Sequence, residues 1–186
     1  MATKIEICTT SLLMVGADEI TSFEDETREA KLCANLYPTI RDDLLQSHVW
    51  RFSVGQASLN RLVSAPLFGY SYAFQLPANH LRLVGKNNSA LKHEILEDKL
   101  YCNALEVLIN YQFTPSEVRY PAYFVKALEL EMAAILAVAL IEDEGKSSLF
   151  ERKAKAQLVK ARYVDSQNNG NHAMPEHNFA LTAIRH

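Results

Sequence analysis

The first apolar positions of the chain are spaced for a helix: they are Ile5, Cys8, Leu12 and Val15. Thr3 and Glu6 have the spacing of a capping box, which satisfies backbone amides at a helix start. Gly16 suits a helix end, because glycine adopts the left-handed conformation without strain. The sequence therefore predicts a short first helix ending at Gly16, followed by an acidic loop at 18–25.

A longer helical pattern follows this loop, with one apolar face formed by Ala30, Cys33, Tyr37, Ile40, Leu44 and Leu45. Pro38 lies inside the pattern. A proline within a helix removes one hydrogen bond and crowds the carbonyl four residues earlier. We therefore expect a kink or a break near Tyr37, which would divide the helix into two pieces.

From Phe52 the apolar pattern changes to the period of two that is typical of strands. Alternation at 70–76 and at 107–113 predicts two strands. Turn-forming residues at 85–88 and at Glu97-Asp98 predict a hairpin over 91–102. Together these segments predict one small antiparallel sheet.

Helical periodicity returns at Pro121 and continues to an acidic break at 142–145, with apolar positions at Phe124, Leu128, Met132, Ile135, Leu136 and Ala139. This segment is apolar on nearly all sides from Met132 and is therefore predicted to be the central helix. Ser148 and Glu151 form a second capping-box pattern that predicts the start of the last helix. That helix should end near Asp165, with an inward face of Phe150, Ala154, Leu158 and Ala161.

These elements predict an α+β fold, mainly α: a bundle of about four helices with a small antiparallel β-rich insertion and an extended C-terminal tail. We expect one domain over 1–165, with helices within 4–50 and 121–165 and the insertion at 51–119. The segment 166–186 begins with polar residues and then carries apolar ones without helical or strand period. Such a segment is typical of a docking tail that folds on a partner, and equally of a frayed terminus.

The composition of the 186 residues, 48% hydrophobic and 22% charged, is typical of a soluble globular protein. A net charge of −3 gives no overall sign of a nucleic-acid or anionic-membrane binder. Cys8, Cys33 and Cys102 are widely spaced and odd in number, which predicts buried free thiols in a reducing compartment. The first residues lack a signal-peptide pattern and the run at 132–141 is too short to span a bilayer, so we expect assembly in the cytosol.

Charge is unevenly distributed along the chain. Residues 17–30 carry six carboxylates against Arg28, and 146–162 carry six cations against Glu151. Such runs are usually solvated faces, but they could also join copies of the chain, and contacts between two different patches generate rings or filaments. The candidate contact residues are Asp18, Glu19, Glu24 and Asp25 with Arg152, Lys153, Lys155 and Lys160.

No residue pattern in the chain is typical of catalysis: the histidines lack metal-ligand spacing and every glycine is isolated. We expect no enzymatic activity, no cofactor and no metal. Two alternatives stay open: a peptidoglycan hydrolase using Glu94 with Glu97 or Asp98, and a small nucleic-acid-binding protein using the last helix. Trp50, the only tryptophan, is expected to be a core anchor between helix and sheet.

Several segments together resemble one family. They are EAKLC at 29–33, LYPTIRDDLL at 36–45, HVWRF at 48–52, and YAFQLP at 72–77 with Leu81-Arg82. In these segments the chain resembles the head-to-tail adaptor proteins of short-tailed bacteriophages, also called tail tubular protein A. The likeness continues more loosely over 120–165 and does not include the tail, and its motifs are structural.

The resemblance implies a dodecameric ring in the virion, bound beneath the portal protein at the head-tail junction and assembled in the host cytoplasm. Such a ring holds the nozzle or tail tube, lets DNA pass through its channel and contacts no membrane. In the family the bundle packs around the ring, the β-rich insertion faces the next tail component, and a C-terminal segment often enters the portal. For this chain we hypothesise portal docking by Phe179, Leu181, Ile184 and Arg185.

Overall fold

A computed structural model of the protein describes residues 2–64, 66–88 and 90–167. These residues form a mainly α, α+β fold, which confirms the predicted fold class. Its helices are α1 Lys4–Val15, α2 Arg28–Gln46, α3 Ala122–Ile141 and α4 Glu144–Gln167. Its strands are β1 Val54–Ser58, β2 Asn60–Arg61, β3 Tyr72–Gln75, β4 His80–Lys86, β5 His93–Leu96, β6 Lys99–Cys102 and β7 Leu108–Phe113.

Helix α1 begins and ends where the sequence predicts. The Thr3 hydroxyl accepts a hydrogen bond from the Glu6 amide at 3.2 Å, and the Glu6 carboxylate accepts one from the Thr3 amide at 2.8 Å. Gly16 follows the helix with φ of 86°, in the left-handed region. The capping box and the glycine stop are both confirmed.

Helix α2 continues through Pro38, so the predicted division into two pieces is wrong. Pro38 lies on the exposed side of the helix. Water can therefore reach the Ala34 carbonyl, which loses its usual intrahelical donor at this position. The other turns of the helix are held by its buried face, which packs on α3.

Replacing Pro38 by alanine is expected to stabilise the protein. The change restores one intrahelical hydrogen bond and removes a ring that costs up to about 3 kcal/mol in a helix interior, partly offset by greater freedom of the unfolded chain. Urea denaturation should show the free energy of unfolding rising by about 1–2 kcal/mol. Thr39→Ala, at the next exposed position, should change it by less than about 0.7 kcal/mol. Equal effects of the two variants would contradict the prediction.

Helix α3 is central, as predicted, and packs against the other three helices. Phe124, Leu128, Met132 and Leu136 are fully buried within it. Helix α3 ends at Ile141, the next residue Glu142 has a left-handed φ of 53°, and α4 begins at Glu144. The Asp143 carboxylate accepts a hydrogen bond from the Lys146 amide at 2.8 Å and so caps α4. The predicted start at Ser148 is therefore too late.

The strands form two antiparallel sheets rather than the single sheet predicted. One has the order β1-β7-β4 and the other β2-β3-β6-β5. The predicted hairpin is present as β5 and β6, with Glu97 at positive φ in its turn. Apolar side chains from both sheets form a second core, separate from that of the bundle: Leu59, Phe74, Leu76, Leu100, Val107 and Ile109.

Candidate interaction surfaces

Trp50 lies where the bundle meets the β-rich insertion. Its side chain is fully buried, and its indole N–H donates a hydrogen bond of 2.9 Å to the Leu44 carbonyl. The ring lies edge-on to Phe124, with centroids 5.2 Å apart. The structure thus places Trp50 in the core, as the sequence predicts, and leaves none of the ring open to a ligand.

The bundle has two distinct ends, which hydrogen bonds between its helices define. At one end the Arg28 guanidinium donates to the Ala139 carbonyl, and the Lys146 ammonium donates to the Val15 carbonyl at 3.4 Å. At the other end the Arg51 amide donates to the Asp165 carboxylate at 2.9 Å, next to the insertion. The α1–α2 loop and the α3–α4 turn therefore share the end remote from the β-rich insertion.

This remote end of the bundle is strongly acidic. Its exposed carboxylates, called the acidic end below, are Asp18, Glu19, Glu24, Glu26, Glu142 and Glu144. Across the described ranges none of the six forms an ion pair. Sequence reasoning treated Glu142 and Glu144 only as a helix break, because nothing local shows that the two loops meet.

Asp25 was predicted as an intermolecular contact, yet it has a role within its own loop. Its carboxylate accepts hydrogen bonds of 3.0 Å from the amides of both Thr21 and Ser22. These bonds lower the pKa of Asp25, and the bond from the Ser22 amide has the larger effect. Asp25 therefore shapes the loop that presents the other carboxylates.

The cations predicted on the last helix, Arg152, Lys153, Lys155 and Lys160, are all exposed on α4. Lys155 lies 3.9 Å from Glu151, a weak exposed pair, and the other three form no ion pair in the part of the chain described. Arg162 joins them and donates to the Ser47 carbonyl at 3.4 Å. The basic character of α4 is thus available to a partner.

An apolar stripe, which sequence reasoning missed, runs along the outward side of α4 between these cations. It is called the α4 crest below and consists of Leu149, Ala156, Val159 and Tyr163, of which Val159 is 70% and Tyr163 65% exposed. From Ala156 to Tyr163 the crest residues follow at intervals of three and four, which is the spacing of a helix seam, and Arg152 lies on the same line between Leu149 and Ala156. That spacing is present in the sequence beside the stronger periodicity of the inward face.

A second surface with mixed character lies between α2 and α3. This α2–α3 groove, of about 210 Å³, is lined by Thr39, Ile40, Asp43, Leu44, Glu131 and Ile135. Burial raises the pKa of Glu131, and the nearby carboxylate of Asp43 adds to the rise. Neither carboxylate forms an ion pair with another described residue. The groove is therefore apolar at its floor and negative at its rim.

The loop between β2 and β3 carries the most exposed apolar side chains described in the chain. Val63, Leu67 and Phe68, called the apolar loop below, are each at least 85% exposed. Large apolar side chains gathered at one exposed place are typical of contact sites. The residues of this loop have no periodicity in the sequence that would predict a contact site.

The carboxylates considered for hydrolysis lie on an open hairpin. Glu97 and Asp98 form the exposed turn between β5 and β6, and the Glu97 carboxylate lies 3.3 Å from the Lys99 ammonium. Asp98 accepts a hydrogen bond of 2.7 Å from the Gln75 amide group, which lowers the pKa of Asp98. A general acid needs a raised pKa, which is opposite to the shift of Asp98, and Glu94, Glu97 and Asp98 are all exposed.

The described residues include no group of three or more histidines, cysteines, aspartates or glutamates placed to hold a metal ion. In the same ranges, no helix has the length and apolarity needed to cross a membrane. Cys8, Cys33 and Cys102 are buried free thiols, as predicted. The hypothesised portal-docking residues Phe179, Leu181, Ile184 and Arg185 lie outside the described residues.

No protein-family model fits the sequence, and no curated protein matches it significantly.

Proposed function

We propose that the protein is a structural head-to-tail adaptor of a short-tailed bacteriophage. In this proposal it forms a ring between the portal and the nozzle or tail tube, and DNA passes through the channel of the ring. The observation that carries the proposal is the separation of the surfaces: the acidic end and the β-rich insertion lie at different ends of the bundle. A subunit placed between two unlike partners needs two unlike ends.

The dimensions of the bundle support this arrangement. Helices α2 and α3 have 19 and 20 residues, so the acidic end and the insertion are separated by roughly 30 Å of helix. The insertion presents the apolar loop, which suits contact with the next tail component. The flanks of the bundle, including basic α4, remain for neighbouring copies.

The resemblance itself supports the proposal at a specific place. The segments that resemble the adaptor family fall in α2, in the turn around Trp50, and in β3 with the residues after it. Of these, the end of α2 and the turn around Trp50 accept hydrogen bonds from the insertion, and Leu81 packs against the core of the bundle. A junction of this kind fixes the direction in which the insertion points, which is a structural role and needs no catalytic residue.

The proposal is tested by measuring particle mass in solution. The purified chain, the portal protein of the same phage, and their mixture are compared by mass photometry, with electron microscopy of the product. A complex of portal with a ring of this chain, at the tail-facing side, is the expected result. A shorter chain ending at Gln167 should bind the portal more weakly, because it lacks Phe179, Leu181 and Ile184.

Two results separate the parts of this proposal. If the full chain never associates with the portal, the adaptor function is wrong. If the full chain and the chain ending at Gln167 bind the portal equally well, the adaptor function stands and the docking role of the tail is wrong. Unrelated portal rings serve as the control for nonspecific adsorption.

A further inference from the structure

From Ala156 to Tyr163 the α4 crest is an apolar seam between two rows of cations, and Arg152 adds a further cation on the crest before it. Helix geometry places Lys153 and Lys160 along one side of it and Lys155 and Arg162 along the other. The surroundings of these cations agree with this placement. Lys153 and Lys160 border the same cleft as Met14, whereas Arg162 donates a hydrogen bond to Ser47 at the end of α2. A seam of this kind fits a partner with an apolar floor and negative edges.

The acidic end of another copy would supply negative edges but no apolar floor. It is rich in carboxylates, but the apolar residues of its loop are used within their own chain. Ile20 is 4% exposed, and Phe23 packs against the core of the bundle. Docking there would leave Val159 and Tyr163 in water, so charge attraction alone would hold the contact.

The α2–α3 groove supplies both features. Ile40, Leu44 and Ile135 give it an apolar floor, and Asp43 and Glu131 give it a negative rim. We propose that the α4 crest of one copy docks into the α2–α3 groove of a second copy. The contact deepens the proposed ring and rests on it for its biological setting, since it names the surfaces that would join neighbouring subunits.

The electrostatics of the groove favour a cation from outside. Glu131 is half-buried, and the negative charge of Asp43 adds to the rise in its pKa. Lys155 of the same chain lowers the pKa of Glu131, but Asp43 and Glu151 each raise it more strongly. Cations flanking a neighbour's crest would bring positive charge to both carboxylates as the apolar surfaces close.

Symmetry decides what the contact builds. The crest and the groove are different patches, so a head-to-tail contact between them continues from copy to copy until a ring closes or a filament forms. If two copies instead exchange the contact reciprocally, assembly stops at a dimer. The mass of the assembly distinguishes these cases.

The test compares two substitutions at equally exposed apolar positions. Val159 lies in the crest and Leu105 in the β-rich insertion, and both are 70% exposed, so a glutamate at either position has little effect on folding. Sedimentation velocity up to about 0.5 mM populates even weak contacts. The wild-type chain should self-associate, Val159→Glu should weaken this association at least about tenfold, and Leu105→Glu should leave it unchanged within about twofold.

Zero-length carbodiimide cross-linking then locates the contact. In mixtures of nitrogen-15-labelled and unlabelled chains, links from Lys153, Lys155 or Lys160 to Asp43 or Glu131 of the differently labelled chain are expected. Links to the acidic end instead would overturn the inference. So would a wild-type chain that stays monomeric at the highest concentration, or equal effects of the two glutamate variants.

A nucleic acid is the other class of partner that could occupy α4. Salt-dependent DNA binding that Lys153→Glu and Lys160→Glu abolish, in a chain that does not self-associate, would overturn the inference in favour of that partner. The outcome of the portal-binding experiment does not depend on the crest-groove contact. A dimer that Val159→Glu dissolves would keep the crest-groove contact and contradict the ring, whereas a ring that Val159→Glu leaves intact would do the reverse.

Discussion

Replacing Trp50 by alanine should destabilise the protein by about 3–5 kcal/mol, the range for deleting a large buried aromatic side chain. Trp50 is fully buried and contacts aromatic rings of the bundle core, including Phe52 and Phe124. Its removal leaves a cavity and also leaves the Leu44 carbonyl without its indole donor. The loss is comparable to a large part of the total stability of an ordinary domain.

Urea denaturation followed by far-ultraviolet circular dichroism measures this effect without relying on tryptophan fluorescence. Tyr163→Ala is the matched control, because it also deletes an aromatic ring but from a position that is 65% exposed. The control should change the free energy of unfolding by less than about 0.5 kcal/mol. A similar small change for Trp50→Ala would show that the junction is not part of the cooperative core.

Most of the helical fold followed from periodicity and caps that act locally. The Thr3 capping box, the glycine stop at Gly16 and the apolar length of α3 depend on residues within a few turns of one another. The β5–β6 hairpin was equally local, because its turn residues lie between its strands. Features of this kind are encoded where they occur, so sequence reasoning reaches them.

The errors arose where competing local signals had to be ranked. Ser148 and Glu151 have capping-box spacing, but Asp143 caps α4 earlier and the helix continues through both residues. Pro38 is a helix breaker by type, but the packing of α2 outweighs its cost. The number of sheets could not be predicted either, since alternation shows which face of a strand is apolar and not the strand with which it pairs.

The interaction surfaces were only partly predictable for a different reason. Individual exposed charges on α4 were correctly expected, but the groove combines Asp43 and Glu131 from helices far apart in the sequence. The acidic end likewise unites two loops that meet only in the folded chain. Asp25 shows the converse, because a carboxylate counted as free in the sequence is committed to its own backbone.

The exposed surfaces of the described residues have a chemistry that the fold itself does not require. Charged and apolar groups alternate along α4 in a pattern that its own fold does not need, since the inward face already packs on α3. The apolar loop likewise exposes side chains that no described core uses. Surfaces with such specific chemistry are expected where other chains must be positioned, and assembly is therefore the economical interpretation.

Gln112 should be the second residue with a large effect, because it connects the β-rich insertion to the bundle. Its side chain is fully buried in β7, and its amide group donates toward the carbonyls of Leu45 and His48 at 2.7 and 2.9 Å. Its amide oxygen accepts a hydrogen bond of 2.8 Å from the Arg82 guanidinium. Gln112→Ala removes these hydrogen bonds and takes a partner from the Leu45 carbonyl and the Arg82 guanidinium, whereas the His48 carbonyl keeps the Trp50 amide. The change should cost about 2–4 kcal/mol.

Gln56→Ala is the control for this prediction, since Gln56 lies on the neighbouring strand β1 with its side chain exposed. It should cost less than about 0.5 kcal/mol. Hydrogen exchange adds a sharper criterion: in Gln112→Ala, amides of β1, β4 and β7 should lose protection before those of α3, because the sheet keeps its own ladder but loses its attachment to α2. Equal loss of protection in the sheet and in α3 would mean that the insertion and the bundle unfold as one unit, with Gln112 stabilising both alike.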